Sequence, residues 1–430
     1  MSSLLLDIGG SFIKAGVLDK NHVRISDVEQ FQTPTLLRNT RTNRFEIDIS
    51  ELKSKVLSIV SSKIGRFPSI EDIYVSGQMG CWSLEGLPSL HNKLVSWQDR
   101  RMLERFESVE TLIDSYGLKT HLTLNGNEMN IGSPIAGMFS MLSEISRGSS
   151  SVRFQSLISM VVSILTNNTH SRMHITDAAS TGFVDLSSQS WNMEILENFF
   201  SNVKMPEICV DIEFVGEFQN TGIKVYSGVG DQQASLLGVG LAPFNVVVNI
   251  GTGGQVASFH RAAVNAGIKV RPYFAGQTFN TITHLPSGRF LNKLVKTVSE
   301  NLFEEFTFDV LNNFEFSETN FLMQFDPQFE LDDIYHKNFF IMCGKQHYIE
   351  NCLSYMAFQY MRAIETLKID SSCKIIFAGG VGQKNRAITG LIMRLLDSNL
   401  FEISGEVETT LAGLKILAKN QSSSLNGFNY

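Results

Sequence analysis

The chain has 430 residues, of which 43% are hydrophobic and 18% are charged, and its net charge is −7. This length favours two domains over one, and the apolar content is enough for sizeable cores, which excludes a disordered chain. The acidic balance, with a pI near 5.8, argues against a protein that binds nucleic acid through its phosphates.

Five cysteines without a CxxC pair indicate neither a disulfide framework nor a cysteine-rich zinc site. The nine histidines form no HExxH or comparable metal pattern. The N-terminus has neither the basic nor the long apolar region of a secretory signal. The apolar segment "FQSLISMVVSIL" is too short to cross a bilayer and predicts a buried helix. We therefore expect a cytoplasmic protein that does not bind membranes.

The first predicted element is a β-hairpin, "LLLDIGGSFIKAGV", with a glycine-rich turn. The turn lacks the Gly-Lys-Ser/Thr of a Walker A loop and leads into a second strand, which excludes a dinucleotide fingerprint. Backbone N–H groups of Gly9, Gly10 and Ser11 can point at phosphate oxygens, and Lys14 adds positive charge. Asp7, at the strand end, is placed to hold Mg²⁺ through water. A plain hairpin in which the aspartate caps the turn is the alternative.

Two later segments carry the residue types of a sugar site. In "SWQDRR", Trp97 can cover the C–H face of a sugar, while Asp99 and Arg100 can form charged hydrogen bonds to hydroxyls. In "GQMGCW", Gln78 offers an amide that both donates and accepts, and Met79 follows it. A surface salt bridge beside a packed tryptophan is the alternative for "SWQDRR".

Two further acidic residues stand near predicted turns. The segment "HITDAASTGFVDLSSQSWN" predicts a polar loop and then a hairpin, in which Asp177 either faces the sugar or caps a turn. In "GVGDQQASLLG", Asp231 lies between glycines and the start of a buried helix, where the helix dipole favours the ionised carboxylate. Asp231 is either a catalytic base or a helix cap without chemistry. Gln232, beside it, is a candidate sugar contact.

The first hairpin has an echo, "VVVNIGTGGQVASF", in the second half of the chain. A duplication of two similar domains explains the echo, with a boundary near residues 238–241, and chance similarity is the alternative. The glycine turn that begins at Gly251 would then be a second phosphate clamp. A further pair of glycine-rich strand ends, predicted at Gly77 and Gly379, supports the duplication.

In "FAGGVGQKN", a strand is predicted to end at a glycine pair just before a helix. The flat backbone of Gly379 and Gly380 lets an adenine ring lie close, with Gln383 or Asn385 at its edge. A simple strand-to-helix turn is the alternative.

Together these motifs resemble the FGGY carbohydrate kinases of the actin-like ATPase fold, and their order carries the resemblance more than any single motif. It implies an α/β chain of two actin-like, ribonuclease H-like domains around a central cleft. Residues 1–238 would bind the sugar and residues 239–430 would bind ATP. Within the family, "VSWQDRR", "DAASTGFVDLSSQSWN" and "RPYFAGQTF" are most similar to sedoheptulokinases.

The resemblance implies an ATP-dependent kinase that transfers the γ-phosphate to a primary hydroxyl of a ketose, with sedoheptulose as the first candidate. Asp231 would be the general base, Asp7 would organise Mg²⁺, and Thr252 and Gly253 would contact phosphates. Xylulose, ribulose or glycerol as substrate, or a catalytically weak sugar-binding relative, are the alternatives. The chain departs from the family at Gly80, where relatives often carry histidine, and it lacks their Gly-Glu-Arg in the second domain.

The segment 301–340 is rich in phenylalanine and acidic residues, as in "FEEFTFDVLNNFEFSE". An insertion, a lid or an oligomer contact would each produce this composition, and we assign no function to it. The expected partners are a ketose and ATP. The oligomeric state is open, with a homodimer as one candidate.

Overall fold

The computed structural model describes residues 2–124, 130–147, 151–168, 172–259, 267–302, 307–316, 337–369, 372–397 and 400–422. The chain forms two compact units. The first contains Met1–Gly238, Val270–Thr278 and Glu408–Tyr430, and the second contains Val239–Lys269 and Phe279–Val407. Two segments from the second half of the chain thus belong to the first unit. The assignment of sugar to residues 1–238 and ATP to residues 239–430 stays a prediction.

The first unit is built mainly on two mixed sheets. Its strands are β1 (Ser2–Ile8), β2 (Phe12–Leu18), β3 (Ile25–Gln32), β4 (Leu37–Asn39), β5 (Arg44–Asp48), β6 (Ile70–Gly77), β7 (Trp82–Glu85), β8 (Lys93–Val95), β9 (Val152–Ser156), β10 (Met173–His174), β11 (Val184–Asp185), β12 (Ser190–Trp191), β13 (Val203–Lys204), β14 (Ile208–Cys209), β15 (Phe214–Glu217), β16 (Lys224–Tyr226) and β17 (Val229–Gly230). One sheet has the order β15-β16-β6-β1-β2-β3, with β17 also paired to β6, and the other has the order β13-β9-β7-β8-β5-β4. The first unit also contains two separate two-stranded sheets, β10-β14 and β11-β12.

Helices of the first unit flank these strands. They are α1 (Ile49–Arg66), α2 (Phe106–Ser115), α3 (Leu118–Leu124), α4 (Pro134–Ser140), α5 (Leu142–Arg147), α6 (Leu157–Thr166), α7 (Ile175–Ala178), α8 (Met193–Phe199) and α9 (Asp231–Val239). The helix at the C-terminal end of the described chain, Thr409–Ser422, packs on β1, β3 and β6. Among the described residues, no helix is both long and apolar enough to cross a membrane.

The central strand of the first unit explains why a carboxylate is buried there. Every residue of β1 is buried, and Leu4, Leu6 and Ile8 belong to one apolar cluster of the unit. Strands flanked on both sides within a sheet and covered on both faces are continuous apolar runs rather than alternating ones. Asp7 follows these leucines in the same strand, so the strand carries its carboxylate into the interior.

The second unit repeats the hairpin of the first. Its elements are β18 (Asn245–Ile250), β19 (Gly254–Ser258), β21 (Thr278–Leu285), α10 (Gly288–Leu302), α11 (Phe308–Asn312), α12 (Lys337–Thr366), β22 (Lys374–Ala378), α13 (Gly379–Lys384), α14 (Arg386–Leu395) and β23 (Phe401–Ile403). The intervening strand β20 (Lys269–Pro272) belongs to the first unit except for Lys269, and the C-terminal helix of the first unit is α15 (Thr409–Ser422). The strand order within the second unit is β21-β19-β18-β22-β23. β18 is antiparallel to β19 and parallel to β22, as β1 is to β2 and β6.

Three elements differ from their predictions. The buried helix begins at Leu157, because the Ser156 side chain caps its N-terminus and the residues before it form β9. The strand predicted to end at Gly379 ends one residue earlier, since that glycine has a φ of 78° and begins α13. The segment predicted as a polar loop forms the short helix α7 before its hairpin. Most of the segment 301–340 lies outside the described residues.

Candidate active site

The first hairpin places a buried carboxylate directly before its glycine turn. Asp7 is 7% exposed, and within the described part of the chain no donor forms a hydrogen bond with its Oδ1. Burial raises the pKa of Asp7 to about 7, with repulsion from Asp231 adding to it and Lys14 opposing it. An unsatisfied carboxylate oxygen of this kind suits a metal-bound water.

The turn after Asp7 is tight. The Gly9 N–H donates to the Phe12 carbonyl at 3.0 Å, and Gly10 and Ser11 are exposed. A Cβ on Gly10 would lie 3.0 Å from Oε1 of Gln78. The Gly9 N–H is thus taken by the turn itself, and the phosphate contacts expected of Gly9, Gly10 and Ser11 stay a prediction.

Lys14 stands opposite Asp7 in the strand pair and is held by an acidic residue from the far end of the chain. Its Nζ donates to Oε2 of Glu408 at 2.5 Å, and Gln30 donates to the other oxygen of Glu408 at 3.1 Å. Thr410 in α15 acts on Asp7 by lowering the pKa of its carboxyl against the effect of burial. The start of α15 thus supports both members of the Asp7–Lys14 pair.

Asp231 is the first residue of α9, as the sequence predicted. Its Oδ1 accepts the Gln232 N–H at 2.8 Å. Burial raises the pKa of Asp231 to about 7, and the charge of Asp177 adds to the effect. The helix dipole predicted at this position favours the ionised carboxylate, whereas burial opposes ionisation and leaves the pKa raised in spite of the local hydrogen bonds. A carboxylate with such a pKa is well matched to proton transfer near neutral pH.

Asp177 lies in α7 and is 1% exposed. Its Oδ2 accepts a hydrogen bond from Oγ of Ser156, while Oδ1 has no partner among the residues that the structure describes. Burial raises the pKa of Asp177 to about 7. The N-terminus of α7 is capped by His174 and not by Asp177. Of its two predicted roles, the geometry therefore favours the one in which the free oxygen meets a hydroxyl.

Gln78 and Trp97 are hydrogen-bonded to each other. The indole Nε1 donates to Oε1 of Gln78 at 3.0 Å, and the Trp97 side chain is 41% exposed. Met79 packs against Gly230, where a Cβ would lie 2.4 Å from its sulfur. Gly80 has a φ of 78° and lies beside Trp97, so the histidine common in relatives would be strained at this backbone conformation.

Asp99 of the "SWQDRR" segment has protein partners for both oxygens. Oδ1 accepts from Nε of Arg101 at 2.8 Å, and Oδ2 accepts from the Phe45 N–H at 2.7 Å. Arg101 is 5% exposed and also pairs with Glu46 at 2.8 Å. Arg100, in contrast, is exposed. The buried guanidinium is therefore the second one of the segment, and the sugar contacts of Asp99 and Arg100 stay a prediction without support from this geometry.

The glycine turn of the second unit is held by backbone contacts. The Gly251 N–H donates to the Gly253 carbonyl at 3.0 Å, and the Gly288 N–H donates to the Gly251 carbonyl at 2.9 Å. Oγ of Ser287 donates to the Thr252 carbonyl at 2.7 Å. Thr252 and Gly253 are exposed at the tip of this fixed turn, which suits the phosphate contacts predicted for them.

The second glycine pair begins α13. A Cβ on Gly379 would lie 2.4 Å from Oδ1 of Asn249, so only glycine fits there, whereas Gly380 has no neighbour within 4 Å of a Cβ. The amide of Gln383 donates to two backbone carbonyls at 2.9 and 2.8 Å. Asn385 is 1% exposed and caps α14. The open face is thus at Gly380, and the adenine contacts of Gln383 and Asn385 stay a prediction.

The donor set for a metal is small. Among the described residues, no group of three or more His, Cys, Asp or Glu side chains is arranged to hold a metal ion. Mg²⁺ needs only one or two carboxylates because it keeps several waters. Asp7, with its unpaired buried oxygen, fits that requirement.

The hairpin, the Gln-Met segment and the acid at the start of α9 all lie in the part of the chain that defines its class. Residues 2–238, more than half of the chain, match the sequence model of the N-terminal domain of the FGGY family of carbohydrate kinases. The chain therefore belongs to this family. It is a carbohydrate kinase, for which ATP is the phosphoryl donor. A search of curated protein sequences found no match.

Solved structures share this fold along almost the whole chain. The gluconate kinase and the xylulose kinase from Lactobacillus acidophilus both superpose with a TM-score of 0.79, at 15% and 17% identity, covering 99% of this chain and 90% of theirs. Plasmodium falciparum glycerol kinase with ADP superposes with a TM-score of 0.78 at 15% identity and the same coverage. The predicted fold class, α/β with two actin-like, ribonuclease H-like domains, is confirmed.

Sequence reasoning missed the residues that support the acids. Glu408, Gln30 and Thr410 act on the Asp7–Lys14 pair, and Ser156 acts on Asp177. These are common polar residues that lie far along the chain from the groups they contact, so no local spacing marks them. The only signal was the number of small polar residues before the predicted helices.

Proposed function

We propose that the chain transfers the γ-phosphate of ATP to a primary hydroxyl of a ketose, with Asp231 as the general base. The observation that carries this proposal is the carboxylate of Asp231 at the start of α9, whose pKa is raised to about 7. A base with a pKa near the working pH is ionised in a large fraction of molecules and still accepts a proton readily.

Phosphoryl transfer leaves the protein mainly positioning and charge stabilisation to supply. Asp231 accepts the proton of the sugar hydroxyl late, when the oxygen is already bonding to phosphorus. The exposed indole of Trp97, fixed by Gln78, covers the C–H face of the sugar. The free oxygen of Asp177 accepts a hydrogen bond from a second sugar hydroxyl. These groups belong to the first unit, which supports its role in sugar binding.

The nucleotide contacts are assigned to three glycine-rich segments. The turn at residues 9–11 with Lys14, and the turn at residues 251–253, offer backbone N–H groups and a positive charge to the phosphates. The open backbone at Gly380 accepts the adenine. Asp7 would hold Mg²⁺ through water, and the ion when bound neutralises part of the phosphate charge.

Sedoheptulose is the first candidate substrate and D-xylulose is the second. The support is the similarity of residues 97–101 and 177–191 to sedoheptulokinases, together with Gly80, which carries no side chain beside Trp97 and leaves room for a longer ketose. The buried free thiols of Cys81 and Cys209 support the proposal of a reducing, cytoplasmic setting.

The test is a panel of acceptors incubated with Mg-ATP, in which the rate of ADP formation is measured. It includes sedoheptulose, D-xylulose, D-ribulose, an aldose, and the gluconate and glycerol named for the similar structures. We expect the highest kcat/KM with sedoheptulose. A higher value with glycerol or an aldose than with every ketose would contradict the ketose assignment, and sugar binding without ADP formation would indicate a catalytically weak relative.

A further inference from the structure

We propose that Thr176 is a positioning residue for Asp231, and that its hydroxyl joins the two acid-bearing segments of the first unit. The proposal rests on the proposed role of Asp231 as the base. Thr176 directly precedes Asp177, and Gly230 directly precedes Asp231. The Gly230 N–H donates to Oγ1 of Thr176 at 3.0 Å, so the residues before the two acids are bonded to each other.

The Thr176 hydroxyl is fixed by a buried histidine. Nδ1 of His174 lies 2.8 Å from Oγ1 of Thr176 and also accepts the Thr176 N–H at 3.2 Å. Nε2 of His174 lies 3.1 Å from the Val210 carbonyl, which can only accept, so the ring proton is on Nε2. Nδ1 is then the acceptor for the hydroxyl proton of Thr176, which leaves the oxygen lone pairs to receive the Gly230 N–H.

Each hydrogen bond around Thr176 therefore has a defined donor and a defined acceptor. His174 is fully buried and Thr176 is 1% exposed, so water cannot replace a lost partner. Burial lowers the pKa of His174 to about 4, which keeps Nδ1 an acceptor at neutral pH. The chain of hydrogen bonds ends at the N–H of the peptide group between Val229 and Gly230, one residue before Asp231. It therefore fixes the backbone from which the carboxylate of Asp231 projects.

The position of the Asp231 carboxylate matters because a small displacement of a catalytic group lowers the reaction rate strongly. A shift of about 1 Å in a catalytic group can lower the rate by roughly 10²-fold. Without the Thr176 hydroxyl, the Gly230 N–H loses its acceptor, and the start of α9 loses this tie to α7 and is held by the pairing of β17 with β6. The residue thus acts on the reaction through Asp231 and does not itself contact the substrate.

The experiment compares Thr176→Val with Thr176→Ser and with the matched control Thr181→Val. Thr181 is also 1% exposed, and its hydroxyl bonds the local backbone at Ala178 and Phe183. We expect Thr176→Val to lower kcat by roughly 10-fold to 100-fold with KM for ATP unchanged. Thr176→Ser should stay within a few-fold of the wild type, because it keeps the hydroxyl. Thr181→Val should cost thermal stability but not kcat.

A double-mutant cycle separates positioning from a general loss of structure. Combined with Asp231→Asn, Thr176→Val should lower kcat no further, since it acts only through the acid that is already removed. Additive losses, or a Thr176→Val variant as active as Thr181→Val, would overturn the proposal. If Thr176→Val does not fold, Thr176→Ala takes its place with the same expected outcomes. An unchanged kcat in Asp231→Asn alone would instead reject the proposed base, so the two failures are distinguishable.

Discussion

In the first unit, Asp7 of β1 stands opposite Lys14 of β2, whereas the equivalent pair in the second unit, Asn249 of β18 and Gln255 of β19, is neutral. Each hairpin has the same strand pairing and the same kind of glycine turn. The repeated backbone therefore carries a charged pair in one unit and an amide pair in the other.

The surroundings of the two hairpins widen this difference. Asp7 interacts electrostatically with Asp231, which in turn interacts with Asp177, and burial raises the pKa of all three carboxyls to about 7. Asn249 instead lies against the backbone of Gly379, which leaves no room for a Cβ. The same hairpin thus occurs in both units, while the proposed acid–base and metal chemistry falls to the first unit only.

The largest expected effect comes from removing the base. Asp231→Asn keeps a good residue for a helix start, so the folded state and ATP binding should be retained. We expect kcat to fall by roughly 10²-fold to 10⁴-fold, the usual scale for a general base. Steady-state kinetics with calorimetric ATP binding tests this. A variant that keeps most of its kcat would remove Asp231 from the mechanism.

Asp7→Asn makes the charged hairpin resemble the neutral one. The amide has nearly the same shape as the carboxylate but cannot supply the charge that orients metal-bound water. The Mg²⁺ concentration for half-maximal activity should rise by roughly 10-fold to 100-fold, with sugar binding unchanged. Mg²⁺ titrations at fixed ATP, and calorimetry with the sugar alone, measure the two effects. An unchanged Mg²⁺ dependence would contradict the metal role of Asp7.

Asn249→Asp makes the reverse change and puts a carboxylate beside the second glycine turn. Repulsion between this charge and the phosphates should weaken ATP binding by on the order of tenfold, measured by calorimetry. Asn245→Asp is the matched control, because Asn245 begins the same strand, away from the turn. Equal affinities for the two variants would show that the turn at residues 251–253 does not contact phosphates.

Asp177→Asn tests the coupling between the acids through pH. The negative charge of Asp177 raises the pKa of Asp231, and Asp231 must be ionised to act as a base. Removing that charge lowers the pKa of Asp231, so the acid limb of the kcat/KM profile should move to lower pH. Asp185→Asn, in the hairpin that follows, should leave the limb in place. If the acid limb does not move in Asp177→Asn, the charge of Asp177 does not influence the pKa of Asp231.

Much of the fold followed from local patterns. Three leucines before Asp7, three valines before Asn249 and the glycines after both predicted two hairpins, because strand periodicity and turn chemistry depend on neighbouring residues. The helix start at Asp231 was likewise visible from the glycines before it and the apolar residues after it. Local patterns were therefore sufficient to place both acids at the ends of secondary-structure elements.

Only the tertiary structure decided the burial, the pKa and the hydrogen-bond partners of those acids. The sequence suggested an ionised Asp231 at a helix N-terminus, but burial and Asp177 raise its pKa to about 7. It also suggested a sugar contact for Asp99, whose oxygens are taken by Arg101 and Phe45. Glu408, at the other end of the chain, fixes Lys14. Burial and hydrogen-bond satisfaction depend on segments hundreds of residues apart, whereas sequence patterns report only what neighbours along the chain can do.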